Sequence, residues 1–350
     1  TEPMGPLWRF AILGLALADS HGGPDGGHFA NETLTELAQQ LVRAKRECLS
    51  ATVDCLPALK QVRYRVWPFV RRLIPVRTRP LEPTDFHPQV LKAQVPCGAT
   101  NRSLIFQHTW KAAGWAIMEN LRSISSEYSE QRAMEDNYRW CDQLPEVDRA
   151  HSRVFTFVRE PLERFVSGFA EIERTYRNPH FDFFRLAETG SHQQAQLFID
   201  RFFEDGVMYN GHVKPQSEFL PPFSASCGLR MDFIGKVEDL SNGWSSFLAS
   251  QQCQAGHPFR SSLGQHPTEH SETFAMHSVL KSNEGIYLRA FCWLSLPDYV
   301  IFDYQLPQQC QDADILEVLQ ILQAAKAKGD GSLDPAEGHG NLHNVGKTMS

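Results

Sequence analysis

Residues 153–167 read Arg153-Val154-Phe155-Thr156-Phe157-Val158-Arg159-Glu160-Pro161-Leu162-Glu163-Arg164-Phe165-Val166-Ser167. The opening run is rich in β-branched and aromatic side chains, which predicts a short buried strand. Pro161 cannot extend a strand ladder but suits the first turn of a helix, so a helix is expected from there to about Arg177. Arg159 then lies at the carboxyl end of a strand, where ligands bind in open α/β sheets. Ser167 falls two turns along the helix, roughly 10 Å from its start. An arginine and a serine eight apart arise about once by chance in a chain of this length. Their placement on a strand end and the helix that follows is what makes the pair informative.

The same alternation extends outward on both sides. Ser103–Gln107 is a short apolar strand, followed by a turn and a helix from Gly114 to Ile124, and Asp232–Val237 is a third strand. Strands alternating with helices at this spacing predict βαβ units, and so an α/β domain with a central, mainly parallel sheet in three layers. Ala313–Lys328 reads as a terminal helix, and Gly329–Ser350 is polar and glycine-rich, as disordered tails are.

Composition narrows the class. The chain has 350 residues, 42% hydrophobic and 21% charged, with eight cysteines and a net charge of −7. That is enough chain to bury a sizeable core and too apolar a composition for wholesale disorder. A net acidic chain is poorly suited to nucleic acid, and none is expected as a partner. The charge is uneven: residues 1–95 carry +3 and residues 96–350 carry −10. A boundary near Pro96 follows.

Ahead of that boundary, Leu7–Ala18 has the short apolar core of a secretory signal, with a buried strand or helix as the plain alternative. It falls short of the ~20 residues of a membrane span, so an anchor would draw on sequence preceding Thr1. His21–His28 is glycine-rich and reads as a flexible link. Asn31 to about Leu59 is helical in pattern, and on one continuous helix Cys48 and Cys55 would sit about 10 Å apart, beyond the reach of a disulfide. Lys60–Pro80 holds seven Lys/Arg and no acid. It reads either as a surface for an anionic glycan or membrane, or as a solvated stem. Pro80–Pro96, with four prolines, looks like a linker. The even cysteine count and the sequons at Asn31 and Asn101 favour a glycosylated, disulfide-bonded chain of the secretory pathway.

A second chemical element is the turn Gln107-His108-Thr109-Trp110-Lys111-Ala112-Ala113-Gly114-Trp115-Ala116. Backbone N–H groups and the helix dipole after a strand make an anion site, to which Lys111 adds a point charge and Gly114 a close backbone approach. The full Walker pattern is absent, which counts against a nucleotide kinase. His266 and His270 are four apart without a carboxylate motif, so they read as surface or acceptor-side histidines and no metal is expected.

The stretch Phe155–Pro161 with Arg164 and Ser167 resembles the 3′-phosphate-binding segment of sulfotransferases that use 3′-phosphoadenosine 5′-phosphosulfate (PAPS). The Lys111 turn is similar to their 5′-phosphosulfate loop. Asn210-Gly211-His212-Val213-Lys214-Pro215-Gln216, followed by Asp232-Phe233-Ile234-Gly235-Lys236-Val237-Glu238-Asp239-Leu240, resembles a signature of Golgi carbohydrate sulfotransferases. Asp298-Tyr299 with Phe302-Asp303-Tyr304 resembles that family's closing segment. The likeness covers about residues 100–305.

The resemblance implies a P-loop-like α/β fold and PAPS as co-substrate, with a carbohydrate hydroxyl as acceptor, in the lumen or on the membrane of the Golgi. It implies that Arg159, Arg164 and Ser167 hold the 3′-phosphate, while Lys111, Ala112, Ala113, Gly114, Trp115 and Ala116 form the phosphosulfate loop. Lys111 would also stabilise the leaving phosphate. Trp115 and Ala116 depart from the family, which places hydroxyl residues there, so a catalytically inactive glycan- or nucleotide-binding relative is the alternative. For the base, His212 is the first choice, with a structural histidine as its counter-reading, then His108 and Glu127. The expected organisation is a signal-like segment at 1–20, a glycine-rich link and basic helical stem at 21–95, and the sulfotransferase domain at 96–310. A terminal helix at 311–328 and a tail at 329–350 complete it.

Overall fold

A computed structural model describes residues 31–50, 55–74, 89–97, 100–131, 151–175, 191–204, 211–220, 231–253, 258–261 and 270–327. The signal-like segment, the glycine-rich link, the tail and His266 lie outside these residues.

Two helices come first, α1 (Asn31–Leu49) and α2 (Leu56–Leu73). Strands β1 (Gln89–Cys97) and β2 (Thr100–His108) follow, then helix α3 (Gly114–Ile124) and strand β3 (Glu127–Gln131). Strand β4 (Ser152–Val158) leads into α4 (Pro161–Thr175), and α5 (His192–Glu204) precedes β5 (Met231–Lys236). Helices α6 (Leu240–Ser250), α7 (His270–Lys281), α8 (Ile286–Ile301) and α9 (Ala313–Ala327) complete the chain.

The sheet order is β3-β1-β2-β4-β5. Its centre is parallel, β2 with β4 and β4 with β5, and its other side is antiparallel, β1 with β2 and with β3. Alternation along β4 sends Phe155 and Phe157 to one face, where they pack with Ile117 and Leu121 of α3 and Trp244 and Phe247 of α6. Val158 joins the opposite core, built from α1, α2, α4, α5 and α7–α9. Helices therefore cover both faces of the sheet, in the three-layer α/β arrangement expected.

Two expectations at the amino-terminal side are overturned. The helix does not run through to Leu59: it ends at Leu49, and α2 begins at Leu56 with Pro57 in its first turn. Proline lacks the N–H an interior position needs, so it starts the second helix rather than continuing the first. The break brings Cys48 and Cys55 to a Cα–Cα distance of 4.9 Å, and they form a disulfide. Nor are α1 and α2 a solvated stem. Leu34, Leu37, Leu41, Val62, Val66, Phe69 and Val70 are buried, and Phe69 stacks on Trp293 of α8 at 4.1 Å.

Residues 89–96, read as the end of a linker, form β1 in the interior of the sheet. Leu91, Ala93 and Val95 alternate into the core, and Pro96 sits opposite Asn101 near the hairpin end, where a missing N–H costs little. Further disulfides join Cys97 to Cys253 and Cys292 to Cys310.

Candidate functional site

Strands β2, β4 and β5 are parallel, so their carboxyl ends open on one edge of the sheet. The Lys111 loop, Arg159 and Val237-Glu238 all leave from that edge. In the loop after β2, Lys111 has φ 65° and Ala113 φ 56°, whereas Ala112 and Gly114 are not in the positive region. Backbone that alternates in this way turns successive N–H groups inward into a concave anion-binding nest. Left-handed backbone costs a residue with a side chain on the order of 1–3 kcal/mol, and two such residues at one strand end mark a constrained loop with a purpose. The nest runs directly into the amino terminus of α3, whose dipole favours the same ligand. Thr109 Oγ1 lies 3.0 Å from Thr156 Oγ1, and Thr156 Oγ1 donates to Gln107 O at 2.8 Å, which fixes the loop's base to β4.

Helix α4 carries the next layer. Its residues 164, 167, 168 and 171 share one face. Arg164 is buried, and the resemblance had assigned it to phosphate. Its guanidinium is instead spent on backbone carbonyls: Nε donates to Trp110 O and Nη2 to Gly211 O, each at 2.8 Å, and Nη1 donates to Lys214 O. Burial lowers its pKa to about 10, which leaves it charged at neutral pH. Arg164 thus ties the nest to the 211–214 loop and positions both. Gly168 completes the joint, because a Cβ there would run into the His212 carbonyl oxygen.

The expected 3′-phosphate pair lies on the turn after β4 and on α4. The Arg159 side chain is 31% exposed, and its ion pair with Glu163 spans 3.9 Å. Ser167 is 4% exposed and lies on the α4 face that also carries Arg164. The Arg159 backbone is held from both sides, its N–H donating to Gln216 Oε1 at 2.7 Å and its carbonyl accepting from Gln216 Nε2 at 2.6 Å. Gln216 is held in turn by Asp298, which accepts from Gln216 N, Ser217 N and Ser217 Oγ at 2.6–2.9 Å. Burial raises the Asp298 pKa, while the Ser217 and Gln216 donors and Arg164 oppose the rise. Tyr299 donates to Glu160 at 2.8 Å, and Tyr304 donates to Val158 O at 3.1 Å and Glu238 at 2.9 Å. The closing segment therefore staples the turn that carries Arg159.

His212 packs against Trp110 with its ring tilted by 41° and the centroids 4.4 Å apart. Burial, then the charge of Lys111, lowers its pKa to about 3, with Glu171 opposing. The structure brings this first-choice base to the nest, but as a neutral imidazole of low basicity. His108 is likewise lowered to about 3 by burial and by Lys111 and Arg164, and its ring fills the space a Cβ on Gly114 would need. Glu127 is not brought to the site. It is exposed at the start of β3, opposite Gln94, which pairs with Ser103 five residues from the end of β2. That is about 17 Å along the strand from the carboxyl edge. Trp115, in the first turn of α3, is 49% exposed.

Three residues of the site were not foreseen. Glu171 places its carboxylate 3.2 Å from Lys111 Nζ. Its signal was in the sequence, seven residues after Arg164 on one helical face. Gln216 lay within a recognised stretch but without a role. Arg63 of α2 is buried and paired with Glu218, two residues beyond Gln216. No spacing rule links residues so far apart. Among the described residues, no group of three or more His, Cys, Asp or Glu could hold a metal, and no helix is long and apolar enough to cross a membrane.

Nest, lysine and the helix bearing Arg164 and Ser167 meet at one edge of the sheet. Residues 97–305, more than half of the chain, match the sulfotransferase family, and the chain belongs to it. No curated protein and no solved structure matches it.

Proposed function

We propose that this chain transfers the sulfuryl group of PAPS to a hydroxyl of a carbohydrate acceptor, within the secretory pathway. The observation that carries the reading is the nest at Lys111–Gly114 set on the same edge as Arg159 and Ser167. The backbone N–H groups from Ala112 to Ala116, with Lys111, receive the 5′-phosphosulfate. Lys111 stabilises charge on the departing phosphate, and electrostatics with in-line positioning supply most of the rate. Arg159 and Ser167 receive the 3′-phosphate through a charge-assisted and a hydroxyl hydrogen bond. His212 and Trp110 line the acceptor side. The three disulfides among the described residues support an oxidising compartment such as the Golgi lumen.

Calorimetry with adenosine 3′,5′-bisphosphate, on wild type and Arg159→Ala, tests the donor site. Wild type is expected to bind and the variant to lose at least about tenfold in affinity, as loss of a charge-assisted bond requires. A wild type that does not bind removes the reading. Transfer from PAPS to a panel of desulfated glycosaminoglycan chains tests the acceptor class. Trp115 and Ala116, which lack the hydroxyls usual at this point, favour the second reading of a binding protein without turnover. That reading predicts bisphosphate binding with no transfer to any chain.

A further inference from the structure

We infer that Gln216, held in place by Asp298, is the positioning residue that aims Arg159, and that it gives the donor site its preference for a phosphate on the 3′ rather than the 2′ oxygen of the ribose. The inference rests on the sulfotransferase reading above and gives a role to a residue that the sequence left without one.

The geometry is a two-step clamp. Arg159 is the first residue beyond β4, and the ladders to β2 and β5 run no further than Phe155 and Val158. The Gln216 side chain supplies the missing partners. Its Oε1 accepts from Arg159 N at 2.7 Å, and its Nε2 donates to Arg159 O at 2.6 Å. One amide used on both sides fixes the peptide planes before and after Arg159, and so the direction in which its side chain leaves. Gln216 is buried and is fastened in its turn. Asp298 Oδ2 accepts from Gln216 N at 2.6 Å, and Asp298 Oδ1 accepts from Ser217 N at 2.9 Å and Ser217 Oγ at 2.6 Å.

The same segment reaches the other anion site. Arg164 donates to the carbonyls of Trp110, Gly211 and Lys214, which ties residues 211–214 to the nest loop. Gln107, at the end of β2, donates to Phe219 O, and Arg164 lies over the Phe219 ring at 5.3 Å. Residues 211–219 are therefore fastened to the nest at one end and to Arg159 at the other, as a spacer between the two sites. Phosphates on the 2′ and 3′ oxygens carry the same charge and differ only in place, so net attraction does not separate them. A guanidinium fork presented in one orientation, at a set span from the 5′ site, does. Released from Gln216, Arg159 would meet either phosphate.

Calorimetry with adenosine 3′,5′-bisphosphate and adenosine 2′,5′-bisphosphate reads this preference as a ratio of affinities. Wild type should favour the 3′ isomer by at least about tenfold, the worth of one well-aimed charge-assisted bond, and Arg159→Ala should lose that preference. Gln216→Ala keeps the arginine, yet should weaken the 3′ isomer about tenfold and leave the 2′ isomer within about twofold. Gln216→Glu is the second variant, since it preserves the packing and the acceptor for Arg159 N and removes only the donor to Arg159 O. It should move the ratio the same way. Adding Gln216→Ala to Arg159→Ala should lower the ratio no further, because Gln216 acts through Arg159. A residue that merely supports the fold would weaken both isomers alike, so equal losses overturn the inference. An unchanged ratio in a folded Gln216 variant overturns it too, as does a wild type that binds both isomers equally. A wild type that binds neither is the separate failure of the sulfotransferase reading.

Discussion

The carboxyl edge of the parallel strands and the amino-terminal helical pair both concentrate basic residues, and they use them in opposite ways. At the sheet edge, Lys111 and Arg159 remain partly exposed, with the carboxylates of Glu171 and Glu163 at 3.2 and 3.9 Å. In α2, Arg63 is buried against Glu218, Arg65 pairs with Glu36, and Arg72 pairs with Asp314. Three of the seven basic residues between Lys60 and Pro80 are thus paired with carboxylates elsewhere in the fold, Arg63 buried and Arg65 and Arg72 partly exposed, and Arg77 and Arg79 lie outside the described residues. Part of the run that could be read as a recruiting surface therefore fastens α2 to the rest of the fold. Cationic character in a sequence says little about where the charge is aimed. What separates the regions is that one set leaves a strand end and the other lies on a helix whose apolar face is already buried.

The largest effect should come from Arg63. Removing it leaves Glu218 buried without its cation, and breaking a buried pair from one side costs about 3–5 kcal/mol. Arg63→Met should therefore lower the denaturant midpoint sharply, while Arg63→Met with Glu218→Leu recovers much of the loss. A single variant as stable as wild type would return α2 to the status of an appended stem. Gly168→Ala comes next. Its methyl group meets the His212 carbonyl and Val213 Cγ1, and overpacking of this kind costs about 1–3 kcal/mol. Because the same contact seats the His212 loop on α4, the variant should also weaken bisphosphate binding.

A pH dependence separates the two regions further. His108 and His212 have folded pKa values lowered to about 3, by burial first, against about 6.5 in an unfolded chain. Between those values the unfolded chain binds more protons. Stability is therefore fully present above about pH 6.5 and is lost as pH falls toward 3, by at most about 1.4 kcal/mol per pH unit for each histidine. Thermal melts of wild type from pH 7 to pH 4 should show this slope, and His108→Gln should flatten it. An unchanged slope in the variant would place the acid sensitivity elsewhere.

What the sequence disclosed follows from how local each cause is. The strand at residues 152–158, its proline-started helix and the helix beginning at Gly114 rest on neighbours within a few residues, and all three stand where expected. The positive φ at Lys111 and Ala113 left no trace, because neither residue is one that ordinarily marks left-handed backbone. Prolines concealed β1: Pro96 was read as punctuation, although Leu91, Ala93 and Val95 kept a strand's alternation. The role of Arg164 was misplaced because a motif gives a residue's neighbourhood and not its bond partners, which here are carbonyls 47 to 54 positions away. Arg63 and Glu218 are more distant still in sequence, and only the folded chain reveals them as partners.

The smallest effect belongs to Arg65, and it bears most directly on the contrast. Arg65 and Glu36 pair across α1 and α2 with side chains 42% and 41% exposed. Water screens such a pair, and holding two long side chains in one geometry costs entropy, so it is worth about 0–1 kcal/mol. Arg65→Ala should shift the denaturant midpoint barely beyond error, against the large loss at Arg63 two residues away. The same variant also asks whether α2 recruits an anionic glycan. If the exposed cations attract one, retention on immobilised heparin should fall with Arg65→Ala and fall further with Arg71→Ala added. Retention unchanged in the double variant would leave these arginines with a purely structural part and concentrate anion recognition at the sheet edge, around Lys111 and Arg159.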